Sequence, residues 1–290
     1  MKLLVKHLPP SPLDIEYKKI KRKAHLWLRR MDYALDRRTL SLTEFVAQLK
    51  ELGFTHGATI YLHSSMDQIS RRVPGLDPLR LIDLLKELVG EEGTLLAPTF
   101  PFRGLQYQYV QRQRVFNVQL TPSQEGLFTE LFRRTKGVIR SLHPTHPIAA
   151  WGKHSEELLA EHHLGTAFGE KCPVYQMQKY HGLVAGLGVV PKECFTLYHV
   201  AEELHPTTHA MQYATDAFEM TIISGDEKIP YQVIPLRPDR VRRYDRADGI
   251  LRKEGIVRYY RVRGLRFSAT PVGRFLHRAR ELIDADMFYS

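Results

Sequence analysis

The sequence predicts an α/β fold, a mixed sheet flanked by helices, with a β-rich C-terminal part. Three observations carry that expectation. Between residues 41 and 210, short apolar runs of strand length alternate with helical patterns, the order that builds a mainly parallel or mixed sheet. The run 183–189 contains no polar residue, as expected for a strand buried on both faces. After residue 215 the pattern changes to apolar stretches separated by turn residues, which reads as paired strands.

In chain order, Pro9, Pro10 and Pro12 keep the start extended. A helical pattern over 16–38 then carries Ile20, Leu26, Leu28 and Met31 among many Lys and Arg. Such a basic amphipathic helix could lie on a membrane, but it reads better as a solvated helix packed through one apolar stripe. The predicted organisation is thus a basic helical extension, 1–40, and a single domain, 41–290, with a β-rich segment at about 215–266. A helix over 41–52 opens with Ser41 and Glu44 at capping-box spacing and is closed by Gly53. Strands follow at 59–62, 94–97, 148–151 and 183–189, and helices at 78–89, 123–135, 155–163 and 196–204. Segments 217–223 and 231–236 flank Ser224-Gly225-Asp226, a hairpin signal. A further strand is expected over 258–266, and a closing helix over 271–283 with Pro271 at its start.

The composition, 43% hydrophobic and 26% charged over 290 residues, is that of a globular chain and excludes wholesale disorder. No apolar run reaches membrane-spanning length. The opening MKLLVKHLPP is too short and too interrupted for a secretory signal. Two cysteines, Cys172 and Cys194, do not make a disulfide framework and read as small buried thiols, so a cytoplasmic location is expected. The net charge of +10 would suit nucleic acid, an anionic membrane surface or a phosphorylated small molecule. Much of it falls late in the chain, where residues 237–280 hold fourteen Lys and Arg against four Asp and Glu. That excess reads either as a solvated face or as a basic rim for an anionic ligand.

Several signatures are absent: the phosphate loop GxxxxGK[ST], GxGxxG after a strand, the GxSxG elbow and HExxH. What remains is polar clusters at the ends of expected strands, where α/β enzymes place their sites. These are His63-Ser64-Ser65, Pro98-Thr99, Thr121-Pro122-Ser123 before a helix whose amides could hold an anion, the stretch 140–146 with Arg140, Ser141, His143 and Thr145, and Thr196-x-x-His199-x-x-Glu202. The last carries the most chemistry. On a helix, Thr196, His199 and Glu202 share one face, and a carboxylate beside an imidazole orients it and raises its basicity. The same spacing is common in surface pairs. His143, His146, His162 and His163 lack a tight ligand spacing, and no metal is expected.

At this point the chain resembles the aminoglycoside 3-N-acetyltransferases, also called antibiotic acetyltransferases. The likeness runs over roughly 40–210 through LHSSMDQI, VGEEGTLLAPTF, FNVQLTPSQEG, GVIRSLHPTHPIAAWG and TLYHVAE, in the family's order, with a weaker echo beyond. It implies that family's fold rather than the GNAT fold, whose Arg/Gln-x-x-Gly-x-Gly/Ala loop is missing here. It implies acetyl-coenzyme A, or another acyl-coenzyme A, as co-substrate and a primary amine of an amino sugar or aminoglycoside as acceptor. His199 would be the general base, with Glu202 and Thr196 beside it. His63, Ser64 and Ser65 would line the pantetheine arm. Thr99, Thr121, Ser123, Arg140, Ser141, His143 and Thr145 would shape the rest of the coenzyme pocket.

Four departures stand out. Asn117 replaces the family's Asp, Pro147 follows HPTH where the family has Ser, Cys172 stands for Ser before Pro173, and Phe195 stands for Asn before Thr196. The lost carboxylate and the positive charge favour a neutral or anionic acceptor over a polycation. Two other functions compete, a non-catalytic nucleic-acid or membrane-surface binder on the same fold and a His-dependent thioester hydrolase. A homodimer is compatible with the sequence.

Overall fold

A computed structural model describes residues 37–209, 212–238 and 243–289. The basic helix expected over 16–38 lies outside them except for residues 37 and 38, which are not helical. The first described segment is tied to the body: Leu40 is buried and its amide donates to the Arg72 carbonyl at 2.7 Å.

Helix α1 (Leu42–Leu52) has both halves of its capping box, the Glu44 amide on Ser41 Oγ at 3.2 Å and the Ser41 amide on Glu44 Oε2 at 2.8 Å. Gly53, in the left-handed region, ends it as a helix C-cap requires. Then follow β1 (Thr59–Ser64), α2 (Met66–Arg72), α3 (Pro78–Val89), β2 (Thr94–Pro98), α4 (Gln106–Arg112), β3 (Val115–Asn117), α5 (Leu127–Phe132), β4 (Ile139–Arg140) and β5 (Ile148–Gly152). The second half runs α6 (Ser155–Ala160), a 3₁₀ turn His162–Leu164, α7 (Pro173–Gln176), a 3₁₀ turn Met177–Tyr180, β6 (Leu183–Leu187), α8 (Pro191–Cys194), α9 (Thr196–Leu204) and α10 (Pro206–His209). It ends with β7 (Phe218–Ser224), β8 (Glu227–Val233), α11 (Asp245–Lys253), β9 (Arg258–Val262), β10 (Leu265–Pro271) and α12 (Val272–Asp284).

Seven strands form one mixed sheet in the order β4-β5-β2-β1-β6-β10-β9. Its centre, β2-β1-β6, is parallel, and both flanks are antiparallel. A second sheet, β3-β7-β8, stands apart. Alternation along β1 sends Ile60 and Leu62 to one face and Tyr61 to the other. On the first face they pack with Phe45, Leu49 and Leu52 of α1 and Leu81, Leu85 and Val89 of α3. On the second, Tyr61, Leu96 and Val184 meet Leu197, Tyr198 and Val200 of α9 and Val272, Phe275 and Ala279 of α12. Continuing the alternation puts His63 on the α9 face and Ser64 on the other.

The structure corrects several boundaries. The helix expected over 123–135 is only α5, because Pro122 and Gly126, at φ 128°, keep 121–126 out of helical geometry. The strand expected over 258–266 is a hairpin, β9 and β10, turned at Arg263 and Gly264, both with positive φ. Pro271 caps α12 instead of opening its first turn. The helix expected over 155–163 breaks after Ala160 into a 3₁₀ turn. The strand expected over 231–236 starts earlier, at Glu227, because the hairpin turn is tight. α2, α4, β3 and α11 were not expected, and α11 sits inside the segment read as β-rich.

Candidate active site

The parallel strands β1, β2 and β6 end on the same side of the sheet, where open α/β folds bind ligands. At those ends come His63 and Ser64, the last two residues of β1, and directly beyond the strands Ser65, Thr99 and the 188–196 stretch that leads into α9. The residues read as catalytic therefore share one edge with those read as coenzyme-binding.

α9 carries the central pair. His199 Nδ1 lies 3.2 Å from Glu202 Oε2, one helical turn on. The Glu202 carboxylate is fully buried, whereas the His199 side chain keeps 33% of its surface exposed. This is not a solvated surface pair. A buried carboxylate is costly unless donors satisfy it, and here Tyr244 Oη at 2.9 Å and Tyr289 Oη at 2.7 Å both donate to it. With Nδ1 held by Glu202, the Nε2 of His199 is the ring nitrogen left for chemistry. The Phe168 ring stacks on the imidazole at 5.1 Å and limits its rotation.

Thr196, the first residue of α9, is bound into the sheet. Its Oγ1 is 3.2 Å from Tyr61 Oη and 3.5 Å from His63 Nε2. His63 stacks on Phe195 at 5.2 Å, so Phe195, at the position where Asn is usual, packs an aromatic face against it. Burial, with a lesser push from His199, lowers His63 to about 3, so it is neutral at pH 7. Ser64 Oγ is buried without a hydrogen-bond partner among the described residues. Ser65 caps α2 with no side-chain bond to the helix.

The stretch 141–146 forms a second, buried network. Ser141 Oγ meets His162 Nδ1 at 2.9 Å and accepts from the Ile148 amide at 2.9 Å. Thr145 Oγ1 lies 3.0 Å from His146 Nδ1 and accepts from Gln106 Nε2 at 2.9 Å. His143 Nδ1 accepts from the His146 amide at 3.1 Å. Burial holds His143 and His146 well below the usual histidine range and His162 at about 4, with neighbouring histidines adding to the effect. Among the described residues no group of three or more His, Cys, Asp or Glu is placed to hold a metal. His143 and Gln106 line a cleft of about 460 Å³, together with Ala167, His209, Tyr213, Tyr231 and Gln232. The cleft is one residue removed from the ring on His199, since Ala167 lines it and Phe168 does the stacking.

A third group ties the loops down. Arg140 donates from Nε to Thr99 Oγ1 at 2.9 Å and from its terminal nitrogens to the carbonyls of Thr99, Val118 and Thr121. Its guanidinium lies over the Phe116 ring at 4.9 Å. The Ser123 amide, expected at the start of an anion-binding helix, instead donates to Glu130 Oε2 at 2.7 Å, and Ser123 Oγ pairs with Thr129 Oγ1 at 2.8 Å. The protein's own carboxylate takes that place. Asn117 Oδ1 accepts from the Gln119 and Leu120 amides, closing an Asx-type turn.

The structure thus brings Thr196, His199, Glu202 and His63 together. It places Ser141, His143 and Thr145 in the adjoining network, and makes Arg140, Thr99, Thr121 and Ser123 a scaffold for the loops. Sequence reasoning did not find Tyr61, Phe168, Tyr244 or Tyr289, because no motif marks aromatic residues drawn from four distant segments.

An imidazole with one ring nitrogen held by a buried carboxylate thus lies beyond the parallel strands of an α/β fold. The sequence profile of the aminoglycoside 3-N-acetyltransferases matches residues 61–284, and the chain belongs to that family. It is 31% identical over 178 residues to the SPbeta prophage-derived aminoglycoside N(3')-acetyltransferase-like protein YokD of Bacillus subtilis, covering 56% of this chain and 63% of that protein. To aminoglycoside N(3)-acetyltransferase VII of Streptomyces paromomycinus it is 30% identical over 175 residues, covering 56% and 60%. The chain thus spans about three fifths of the length of these curated relatives. Among solved structures, aminoglycoside acetyltransferase AAC(3)-Xa superposes with a TM-score of 0.69 at 21% identity, over 83% of this chain and 92% of that one. The binary complex of AAC-IIIb with CoASH gives 0.69 at 20%, over 86% and 98%. These likenesses establish the fold.

Proposed function

We propose that the protein transfers an acyl group, in the simplest case acetyl, from an acyl-coenzyme A thioester to a primary amine of an amino sugar or aminoglycoside-like acceptor. The observation that carries this reading is the His199–Glu202 pair, its carboxylate buried and its imidazole part-exposed, beyond the parallel strands. In this reaction His199 Nε2 takes a proton from the amine as its nitrogen attacks the thioester carbonyl. The C–N bond forms, the C–S bond breaks, and the thiolate leaves to be protonated. Glu202, on Nδ1, stabilises the imidazolium that forms and holds the ring. Thr196 and the neutral His63 form the wall beside it.

The residues at the edge of β1 fit a pantetheine arm. Ser65 presents a hydroxyl not used in capping, and the Ser64 hydroxyl, on the opposite sheet face, is buried without a hydrogen-bond partner among the described residues. Arg140, Thr99, Thr121 and Ser123 act by fixing the loops that shape the pocket, since their polar groups bond to one another and to backbone.

We further infer a neutral or anionic acceptor. The chain carries a net charge of +10, and among the described residues no Asp or Glu lines the cleft beside Phe168, whose polar walls include Gln106, His143, His209, Tyr213, Tyr231 and Gln232; Glu203 lies behind that wall, bonded to Tyr213 and His209. Asn117 supports this, its amide being spent on a turn. Thiol release from acetyl-coenzyme A against aminoglycosides, free amino sugars and amino-sugar nucleotides tests both parts. Amine-dependent release supports the reaction; release without any amine would mean a hydrolase. Turnover of polycationic aminoglycosides equal to or above that of the others would overturn the acceptor assignment.

A further inference from the structure

We propose that Tyr244 and Tyr289 are positioning residues for the general base, acting through the carboxylate of Glu202. The inference rests on the acyl-transfer reading of the site. Both oxygens of this fully buried carboxylate are engaged from outside its own helix. Tyr244 Oη donates to Oε2 at 2.9 Å, and Tyr289 Oη donates to Oε1 at 2.7 Å. Tyr244 Oη also lies 3.2 Å from His199 Nδ1, so imidazole, carboxylate and phenol form a closed three-membered set. His199 alone could orient one oxygen of Glu202 and would leave the carboxylate free to rotate about its last torsion. A donor on the second oxygen fixes that torsion, and with it the direction in which His199 Nε2 points.

The two tyrosines come from separate places in the fold. Tyr244 precedes α11 and stacks on Tyr198 of α9 at 4.7 Å. Tyr289 lies past α12, where its ring meets Phe288 at 5.3 Å and Tyr244 at 6.3 Å. Residue 289 also falls outside the span 61–284 that the family profile covers. Among the described residues, the titratable groups facing His199 are Glu202 from its own helix, Tyr244 from the α11 start, His63 from β1 and His146 from the loop before β5. Removing a phenol donor changes the carboxylate and leaves the other groups in place.

The test uses Tyr289→Phe and Tyr244→Phe in the full chain, which keep the rings and delete only the hydroxyls. Each is expected to lower kcat about tenfold, the worth of a hydrogen bond to a charged group, with KM for the acceptor within about twofold of wild type. The acid limb of the kcat/KM profile should move to higher pH, because a carboxylate with fewer donors holds the imidazolium more tightly. The ¹⁵N imidazole spectrum of His199, read without substrate, should show a tautomer balance changed from wild type, toward Nδ1–H where the carboxylate has become the stronger acceptor. Unchanged kcat, pH profile and spectrum in both variants would overturn the proposal, as would a lowered Tm with all three unchanged. The spectrum separates this proposal from the reaction itself: a changed tautomer in a protein that acylates no amine sustains the positioning and defeats only the acyl-transfer reading.

Discussion

The Tyr61 hydroxyl lies 3.2 Å from Thr196 Oγ1, so the middle of the central strand is tied to the first residue of the helix that carries His199. Both side chains are buried. The register of α9 against β1 thus rests partly on one side-chain bond spanning 135 residues of sequence. Tyr61→Phe and Thr196→Val should each cost about 1 kcal/mol, and a double-mutant cycle should return a coupling of about 0.5–1 kcal/mol. Urea unfolding of the four proteins measures it. Strict additivity would mean that the bond does not hold α9 in place.

Replacing His199 by Ala should reduce acyl transfer by about two to four orders of magnitude, the usual worth of a general base. The affinity for coenzyme A should change little, because in the proposed reaction the imidazole acts on the proton alone. Single-turnover thiol release with a separate binding titration resolves the two effects. An Ala variant with wild-type turnover would remove His199 from the mechanism.

Acid should destabilise the fold through its buried histidines. Burial depresses His63 to about 3 and His162 to about 4, and sets His143 and His146 well below the usual range. The folded values lie below the unfolded one, near 6.5, so the stabilisation is complete above about pH 6.5. It is lost as pH falls from there toward the folded values, since only the unfolded chain takes up protons. Each histidine removes about 1.4 kcal/mol per pH unit once the unfolded form is fully protonated. Unfolding free energies from urea titrations at pH 7, 6 and 5 should therefore fall ever more steeply. A flat profile over that range would mean that these rings are hydrated.

The sequence specified those elements whose signals are local. Ser41 and Glu44 mark the start of α1 and Gly53 its end, and the structure has all three roles in place. Helix α9 begins at Thr196 and ends at Leu204, as its apolar pattern requires. The Thr-x-x-His-x-x-Glu face was legible because three residues within two turns define it. What was not legible depends on distance along the chain. Nothing near Tyr244 or Tyr289 announces a bond to Glu202, 42 and 87 residues away. Ser123 was misplaced because its amide meets Glu130, a contact made only when the loop folds back on α5. The turn at Arg263-Gly264 was hidden because Arg rarely takes positive φ, and that cost one strand in the count.

Arg140 gives the last prediction. Its guanidinium donates to Thr99 Oγ1 and to three carbonyls, all neutral acceptors, and its plane covers Phe116. Burial disfavours its charge, so the fold tolerates it only because the fork satisfies several oxygens that would otherwise be buried bare. Lysine keeps the charge but offers one tetrahedral head in place of a planar fork, and it can reach the Thr99 side or the Thr121 side but not both. Arg140→Lys should therefore destabilise the protein by about 2–4 kcal/mol, more than a surface Arg→Lys change by a wide margin. It should also weaken coenzyme A binding, because the loops after β2 and β3 lose their common tie. Urea unfolding and a binding titration on the same samples check both effects. A stable variant with weakened binding would mean that Arg140 touches the coenzyme directly, whereas a destabilised variant with full affinity would leave it a role in the fold alone.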